Sequence, residues 1–189
     1  MGSEAKKFAT YEDFLNVPEH LQAEIIAGEL ITSPRPGPRH AMASTSLGEE
    51  ITGPFQKGKG GGPGGWWILF EQEIHLQGDI LIPDIAGWKK ELLPTIPTDK
   101  NYLEIAPQWV CEILSPGTAR KDRVWKMPIY AREKVEHIWL IHPVEKTLEV
   151  YQRNEMIWTL LQSFGGNDQV RAAPFDAIEL DLDSLWLPD

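Results

Sequence analysis

Apolar and polar positions along this chain fall into short blocks separated by turn residues. Thr10 followed by Asp13, ahead of Phe14 and Leu15, is a capping signal for a short first helix that Pro18 ends. Ala23–Ile26 and Glu29–Thr32 flank Gly28, whose tolerance of positive φ suits a hairpin turn. From Arg39 to Phe55 no proline intervenes until Pro54, and Met42, Leu47 and Ile51 recur near helical spacing, which predicts a helix. Gly58–Gly65 reads as a flexible flap. Trp66–Leu76 and Asp79–Trp88 are rich in β-formers and predict two antiparallel strands joined at Gln77-Gly78. After a Pro-rich loop over Lys89–Pro107 come a strand at Gln108–Leu114 and a break at Ser115–Thr118. A helix over Ala119–Lys134 follows, which Pro128 kinks unless its first turns are irregular. His137–His142 is a further apolar strand, Thr147–Gln152 and Met156–Gln162 form a hairpin, and Ile178–Leu180 adds an edge. This order describes an α/β domain with a mixed sheet.

Composition narrows the class. With 189 residues, 42% of them hydrophobic and 24% charged, the chain suits one domain over residues 1–189. Within it the N-terminal helix and hairpin occupy about 8–34, the core about 38–145 and the C-terminal strands 146–189. Eighteen Lys+Arg against 28 Asp+Glu give a net charge of -10, so nucleic acid and anionic membranes are repelled at long range, and any polyanion site is local. A single cysteine, Cys111, excludes a disulfide framework and a Cys-based zinc site, and suits a reducing cytoplasm. No apolar run is long enough to span a bilayer, and Met1–Lys7 lacks the apolar core of a signal peptide.

Two acids sit where charge is costly. Asp84 lies in Leu81-Ile82-Pro83-Asp84-Ile85-Ala86 and Glu112 in Trp109-Val110-Cys111-Glu112-Ile113-Leu114, both runs apolar enough for central strands. Each acid alone is accounted for by a solvated strand face or an arginine partner. On neighbouring strands they would meet, and at about 4 Å with an effective dielectric near 20 their repulsion is on the order of 4 kcal/mol. One then takes up a proton, or a cation sits between them. A hard cation such as Mg²⁺ (or Mn²⁺) suits an all-oxygen site. The helix after Glu112 carries six basic and two acidic residues between Ala119 and Lys134. Asp122, Lys126 and Tyr130 share one of its faces, which can look toward the carboxylates.

Pro83-Asp84, Glu112-Ile113-Leu114, Asp122-x-x-x-Lys126-x-x-x-Tyr130 and Glu136 to Pro143 together resemble the PD-(D/E)XK nuclease superfamily. More narrowly they resemble its Uma-two family, once a domain of unknown function. Tyr11–Leu15, Glu24–Leu30, Pro34 and His40 match that family's opening, so the resemblance covers nearly the whole chain. It implies a restriction-endonuclease-like mixed sheet core of order αβββαβ behind the N-terminal helix and hairpin, and a magnesium-dependent endonuclease acting on DNA. By resemblance Asp84, Glu112 and the Ile113 carbonyl hold the metal. The superfamily lysine two residues after the second acid is replaced here by Leu114, and Lys126 from the following helix supplies the amine that orients or activates a water. A further acid is expected from the first long helix, Glu50 or Glu49, or alternatively from Glu24 on the hairpin. His40 is a candidate proton shuttle or phosphate donor, or a solvated capping residue. Asp122 and Tyr130 either hold Lys126 or brace the helix.

Gly53-Pro-Phe-Gln-Lys-Gly58-Lys59 approaches a phosphate-binding loop, but Gly60 stands where Ser/Thr is needed and a helix, not a strand, precedes it. Basic residues expected along a DNA groove are Arg35, Arg39, Lys57, Lys59, Arg120, Lys121 and Arg123. The acidic remainder implies weak binding unless a homodimer doubles the basic surface. Trp67, Trp109, Trp139 and Trp158 are expected in the core. The competing readings are a non-catalytic nucleic-acid or protein-binding module on the same fold, and a phosphodiesterase of small diesters.

Overall fold

The computed structural model describes residues 8–188, so the Met1–Lys7 stretch inspected for a signal peptide lies outside the described residues. Helix α1 (Tyr11–Leu15) starts where the capping signal places it. Thr10 Oγ1 accepts the Asp13 N–H at 3.2 Å, and Asp13 Oδ2 accepts the Thr10 N–H at 2.8 Å. Strands β1 (Leu21–Ile26) and β2 (Glu29–Pro34) form the expected hairpin. Gly28 sits at φ 78°, and a Cβ there would stand 2.1 Å from the Phe8 ring. Helix α2 (Pro38–Ile51) begins at Gly37 and runs into a wider π-helical turn over Thr52–Gln56, as long as the periodicity implies. The glycine-rich segment behind it is tied back: Gly53 O accepts the Lys59 N–H and Pro54 O the Gly64 N–H, both at 2.9 Å.

The two long strands expected over Trp66–Leu76 and Asp79–Trp88 are each broken. β3 (Trp66–Phe70) pairs with β6 (Ile85–Lys89), while β4 (Ile74–Leu76) pairs with β5 (Asp79–Leu81) in a different sheet. The break falls where Glu71 takes a positive φ of 47° and Pro83 offers no N–H to a ladder. The distal half of the hairpin thereby joins β1 in a four-stranded sheet of order β2-β1-β5-β4. Asp84 belongs to this break rather than to a strand.

The larger sheet has six strands in the order β10 (Ile157–Gly165), β9 (Thr147–Asn154), β8 (His137–His142), β7 (Trp109–Ile113), β6 and β3. β7 is antiparallel to β6 and parallel to β8, with the helical crossover between them. β9 and β10 form the hairpin at its edge. The crossover opens with π-helical turns over Lys121–Lys126 and continues as α3 (Met127–Arg132), with Pro128 in its first turn where a missing N–H is tolerated. The tail over Ile178–Leu180 does not edge this sheet. β12 (Leu180–Asp181) pairs with β11 (Gln169–Val170) in a separate ribbon.

Alternation along β7 assigns its side chains to two cores. Trp109, Cys111 and Ile113 face α2 and the C-terminal segment, where Trp109 meets Trp139 edge-on at 5.3 Å and Phe175 at 4.8 Å. Val110 and Leu114 face α3 with Ile138 and Leu140 of β8. Glu112 shares that second face, and its carboxylate is therefore turned toward the crossover helix. Trp66 and Trp88 are also buried, whereas Trp67 and Trp158 are only partly so, their indole N–H groups donating to Leu93 O and Met127 O. Among the described residues no helix is long and apolar enough to cross a membrane.

Candidate active site

Four elements converge on one cavity of about 300 Å³. The β5–β6 break brings Asp84, the end of β7 brings Glu112 and Ile113, the π-helical crossover brings Lys121, Asp122 and Lys126, and the β1–β2 hairpin with the start of α2 brings Glu24, Arg35 and His40. Register explains the first meeting. Ile85 stands opposite Cys111, so the residue before one and the residue after the other, Asp84 and Glu112, lie side by side at the sheet's end. Asp84 Oδ2 accepts the Ile113 N–H at 2.6 Å, and Asp84 Oδ1 lies 3.0 Å from His40 Nε2.

Lys126 is 1% exposed, and its ammonium fills the space between two acids: Nζ lies 2.7 Å from Glu112 Oε1 and 2.9 Å from Glu24 Oε1. Asp122, one helical turn back, is farther, at 3.9 Å. The π-helical turns put Asp122 and Lys126 together on the buried side of the crossover while Arg123, Val124 and Trp125 face out. Glu24 Oε1 also accepts the Ile82 N–H at 2.9 Å, and Glu24 Oε2 pairs with Lys121 at 2.6 Å, so this one residue ties the small sheet, the break and the helix together. Tyr130 O–H donates to Glu112 Oε1 at 2.6 Å from below.

These contacts set the protonation states. Burial pushes the Glu24 carboxyl up, but the Lys126 and Lys121 charges and the Ile82 N–H outweigh it and leave it below its ordinary value. Burial dominates at Glu112, and with Asp122, Asp84 and Glu24 nearby it outweighs Lys126, so Glu112 is pushed up to about 8 and keeps a proton at neutral pH. Burial would strip Lys126 of its proton, but the acids around it, Glu112 and Glu24 first, hold it well above the ordinary lysine value. Lys126 is thus an ammonium whose donors are engaged by Glu112 and Glu24. Burial lowers His40, yet the hydrogen bond and charge of Asp84, with Glu71 and Asp122, raise it on balance above 6.5. Asp122 is raised, chiefly by burial.

The expected residues divide cleanly. Asp84, Glu112, Ile113, Lys126, His40, Glu24, Asp122, Lys121 and Arg35 border the cavity, with Tyr130 behind it. Glu50 does not. It lies ten residues along α2 from His40, about 15 Å at 1.5 Å per residue, near Asp181, and Glu49 is exposed beside it. The hairpin alternative, Glu24, is the acid that reaches the cavity. Lys57 and Lys59 are exposed and do not border it. Arg123 is turned to Glu149 at 2.7 Å, and Arg120 lies 6.0 Å from the Trp125 ring, so neither is in the site. Arg39 lines an adjoining apolar pocket instead. Ser33 and Thr118 border the cavity without having been singled out in the sequence, since a short hydroxyl residue in a strand or a turn carries no distinguishing signal.

Charge around the cavity nearly balances: four acids face Arg35, Lys121, Lys126 and His40 in a molecule of net charge -10. The first turn of α2 opens onto it, adding the partial positive charge of a helix N-terminus. Among the described residues no three His, Cys, Asp or Glu side chains are grouped so as to hold a metal alone. Asp84, Glu112 and the Ile113 backbone border the cavity together, and Glu112 would become a carboxylate donor only on losing its proton. With Glu112 ionised, that all-oxygen set is of the kind a small divalent cation that keeps several waters would take.

A mixed six-stranded sheet with a helical crossover between parallel strands, and acids gathered at the broken end of its central hairpin, is the architecture of restriction-endonuclease-like nucleases. A crystal structure described as "a putative nuclease belonging to DUF820 from Anabaena variabilis" superposes with a TM-score of 0.74 over 94% of this chain and 97% of that one, at 22% identity. The Uma2 family model, described as "Putative restriction endonuclease", matches residues 8–183. The chain belongs to the Uma2 family. A search of curated proteins finds no match.

Proposed function

We propose that this protein is a divalent-metal-dependent nuclease that hydrolyses phosphodiester bonds in DNA. The observation that carries this reading is the convergence of Asp84, Glu112 and Lys126, from three separate elements, on one polar cavity. Asp84, Glu112 and the Ile113 carbonyl would hold Mg²⁺ or Mn²⁺, which when bound supplies charge neutralisation at the phosphate and a more acidic water. Glu112 must release its proton for this, and the released charge is balanced by Lys126 at 2.7 Å. His40, through its contact with Asp84, fixes that carboxylate's orientation and offers a proton near neutral pH. Lys126 and Lys121 provide positive charge for a phosphate that enters over Ser33 and Thr118.

The test is incubation of purified protein with single-stranded, linear duplex and supercoiled DNA in Mg²⁺ or Mn²⁺, beside Asp84→Ala. Cleavage by the native protein and none by the variant supports the reading; equal cleavage by both defeats it. One observation favours a second reading, a binding module without hydrolysis: the Lys126 ammonium already fills the space between Glu24 and Glu112, at 2.9 and 2.7 Å. That reading predicts no Mg²⁺ or Mn²⁺ uptake dependent on Glu112 in calorimetric titration.

A further inference from the structure

A second pocket, of about 470 Å³, adjoins the acidic cavity and shares Gly37, His40 and Ser115 with it. Its chemistry is different. Pro38, Leu114, Pro116, Pro143, Val144 and Leu187 line it together with Arg39, and no acid is among its lining residues. Leu114 and Pro143 are buried at its floor, whereas Val144 is 55% exposed at its rim. A polar cavity suited to a phosphodiester, joined through one histidine to an apolar slot, matches the two halves of a nucleotide: charged backbone on one side, flat apolar-faced base on the other.

We infer that this pocket receives the base of a nucleotide next to the phosphodiester in the cavity, and that the preferred substrate is unpaired DNA. The inference rests on reading the cavity as a phosphodiester site. A base inside a duplex is stacked on both faces and must be extruded before it can enter such a slot, whereas a base on a single strand is already free to enter. The net charge of -10 acts in the same direction, because little long-range attraction is available to offset extrusion from a duplex. Walls that are mainly apolar, with Arg39, His40 and Ser115 as the polar residues among them, suit packing against the face of any base more than reading one base's edge.

The experiment measures binding separately from cleavage. Fluorescence anisotropy with Ca²⁺ compares a labelled single strand, the same strand annealed to its complement, and a base-free deoxyribose-phosphate strand, each with the native protein and with Val144→Asn. The single strand should bind about tenfold more tightly than the duplex or the base-free strand, the size expected of one well-placed base. Val144→Asn should remove most of that advantage while leaving the base-free strand within about twofold. Val144→Phe, which keeps the wall apolar, should retain the preference for the single strand. Equal affinity for single strand and duplex, or a Val144→Asn effect that is the same on the base-free strand, overturns the inference. Turnover of bis(p-nitrophenyl) phosphate and DNA is scored in parallel. Its absence counts against hydrolysis, whereas the dependence of affinity on the base decides the pocket.

Discussion

Glu24→Gln removes one negative charge from a residue that is 3% exposed while keeping its shape and an oxygen to accept the Ile82 N–H. In the native protein that charge faces Lys126 at 2.9 Å and Lys121 at 2.6 Å. At an effective dielectric near 20 each attraction is on the order of 6 kcal/mol, most of it opposed by desolvation of the ions. Breaking a buried pair typically costs about 3–5 kcal/mol. Here the lower end applies, because Glu112 can ionise more readily once Glu24 is neutral and can then take over part of the balance at Lys126. A loss of about 3 kcal/mol lowers the melting temperature by about 6–12 °C in a chain of this size. Glu112→Gln makes the companion measurement. Glu112, pushed up to about 8, is already protonated at pH 7, so its amide costs little or even stabilises. Urea unfolding of both variants at pH 7 checks this, with Glu24→Gln the clearly weaker protein. The sign with pH is also determined. The Glu24 value is depressed on folding, so its contribution is complete above its ordinary value of 4.5 and disappears as pH falls through the folded value, closing the gap between native protein and Glu24→Gln. A loss under about 1 kcal/mol at pH 7, or Glu112→Gln the less stable of the two, would refute this assignment of charge.

In the proposed metal site Glu112 would have to lose its proton for Mg²⁺ to bind, so affinity should climb by up to about tenfold per pH unit below about 8 and level off above it; calorimetry in buffers of different ionisation enthalpy should show the released proton, and a flat profile from pH 6 to 8 contradicts the proposal. A Cβ added at Gly62 would stand 2.3 Å from Pro54 Cβ and 2.6 Å from its carbonyl oxygen, so Gly62→Ala should destabilise by about 1–3 kcal/mol, read from the urea midpoint. Arg123 is turned to Glu149, so Arg123→Gln should leave DNA affinity within about twofold, whereas Lys121→Gln, at the cavity wall, should weaken it and flatten its salt dependence; anisotropy across a salt series separates the two.

Much of the fold was legible because its signals are local. The Thr10–Asp13 capping box, the turn at Gly28 and the helical spacing of Met42, Leu47 and Ile51 each concern residues within a few positions of one another. The alternation across Trp109–Leu114 likewise showed an acid among apolar neighbours. The division of the central hairpin between two sheets was not legible, since Glu71 and Pro83 mark a break only when another strand, β1, is present to take up the distal half. Nor was the fate of the basic helix. Its excess charge pointed to a nucleic-acid face, yet Lys121, Arg123, Lys126 and Arg132 are paired with Glu24, Glu149, Glu112 and Asp79, all distant along the chain.

The residue types themselves determined the expectation: two acids in apolar runs, an amine on the following helix, one cysteine and no clustered histidines pointed to the hard-oxygen chemistry proposed for Asp84 and Glu112. Tertiary structure alone decided that Glu24 rather than Glu50 reaches the cavity, and which of the acids keeps its charge. The physical reason is that a carboxyl's protonation depends on the dielectric and charges within a few ångströms. In this protein those neighbours come from β1, β7 and the crossover helix, and only their packing brings them together.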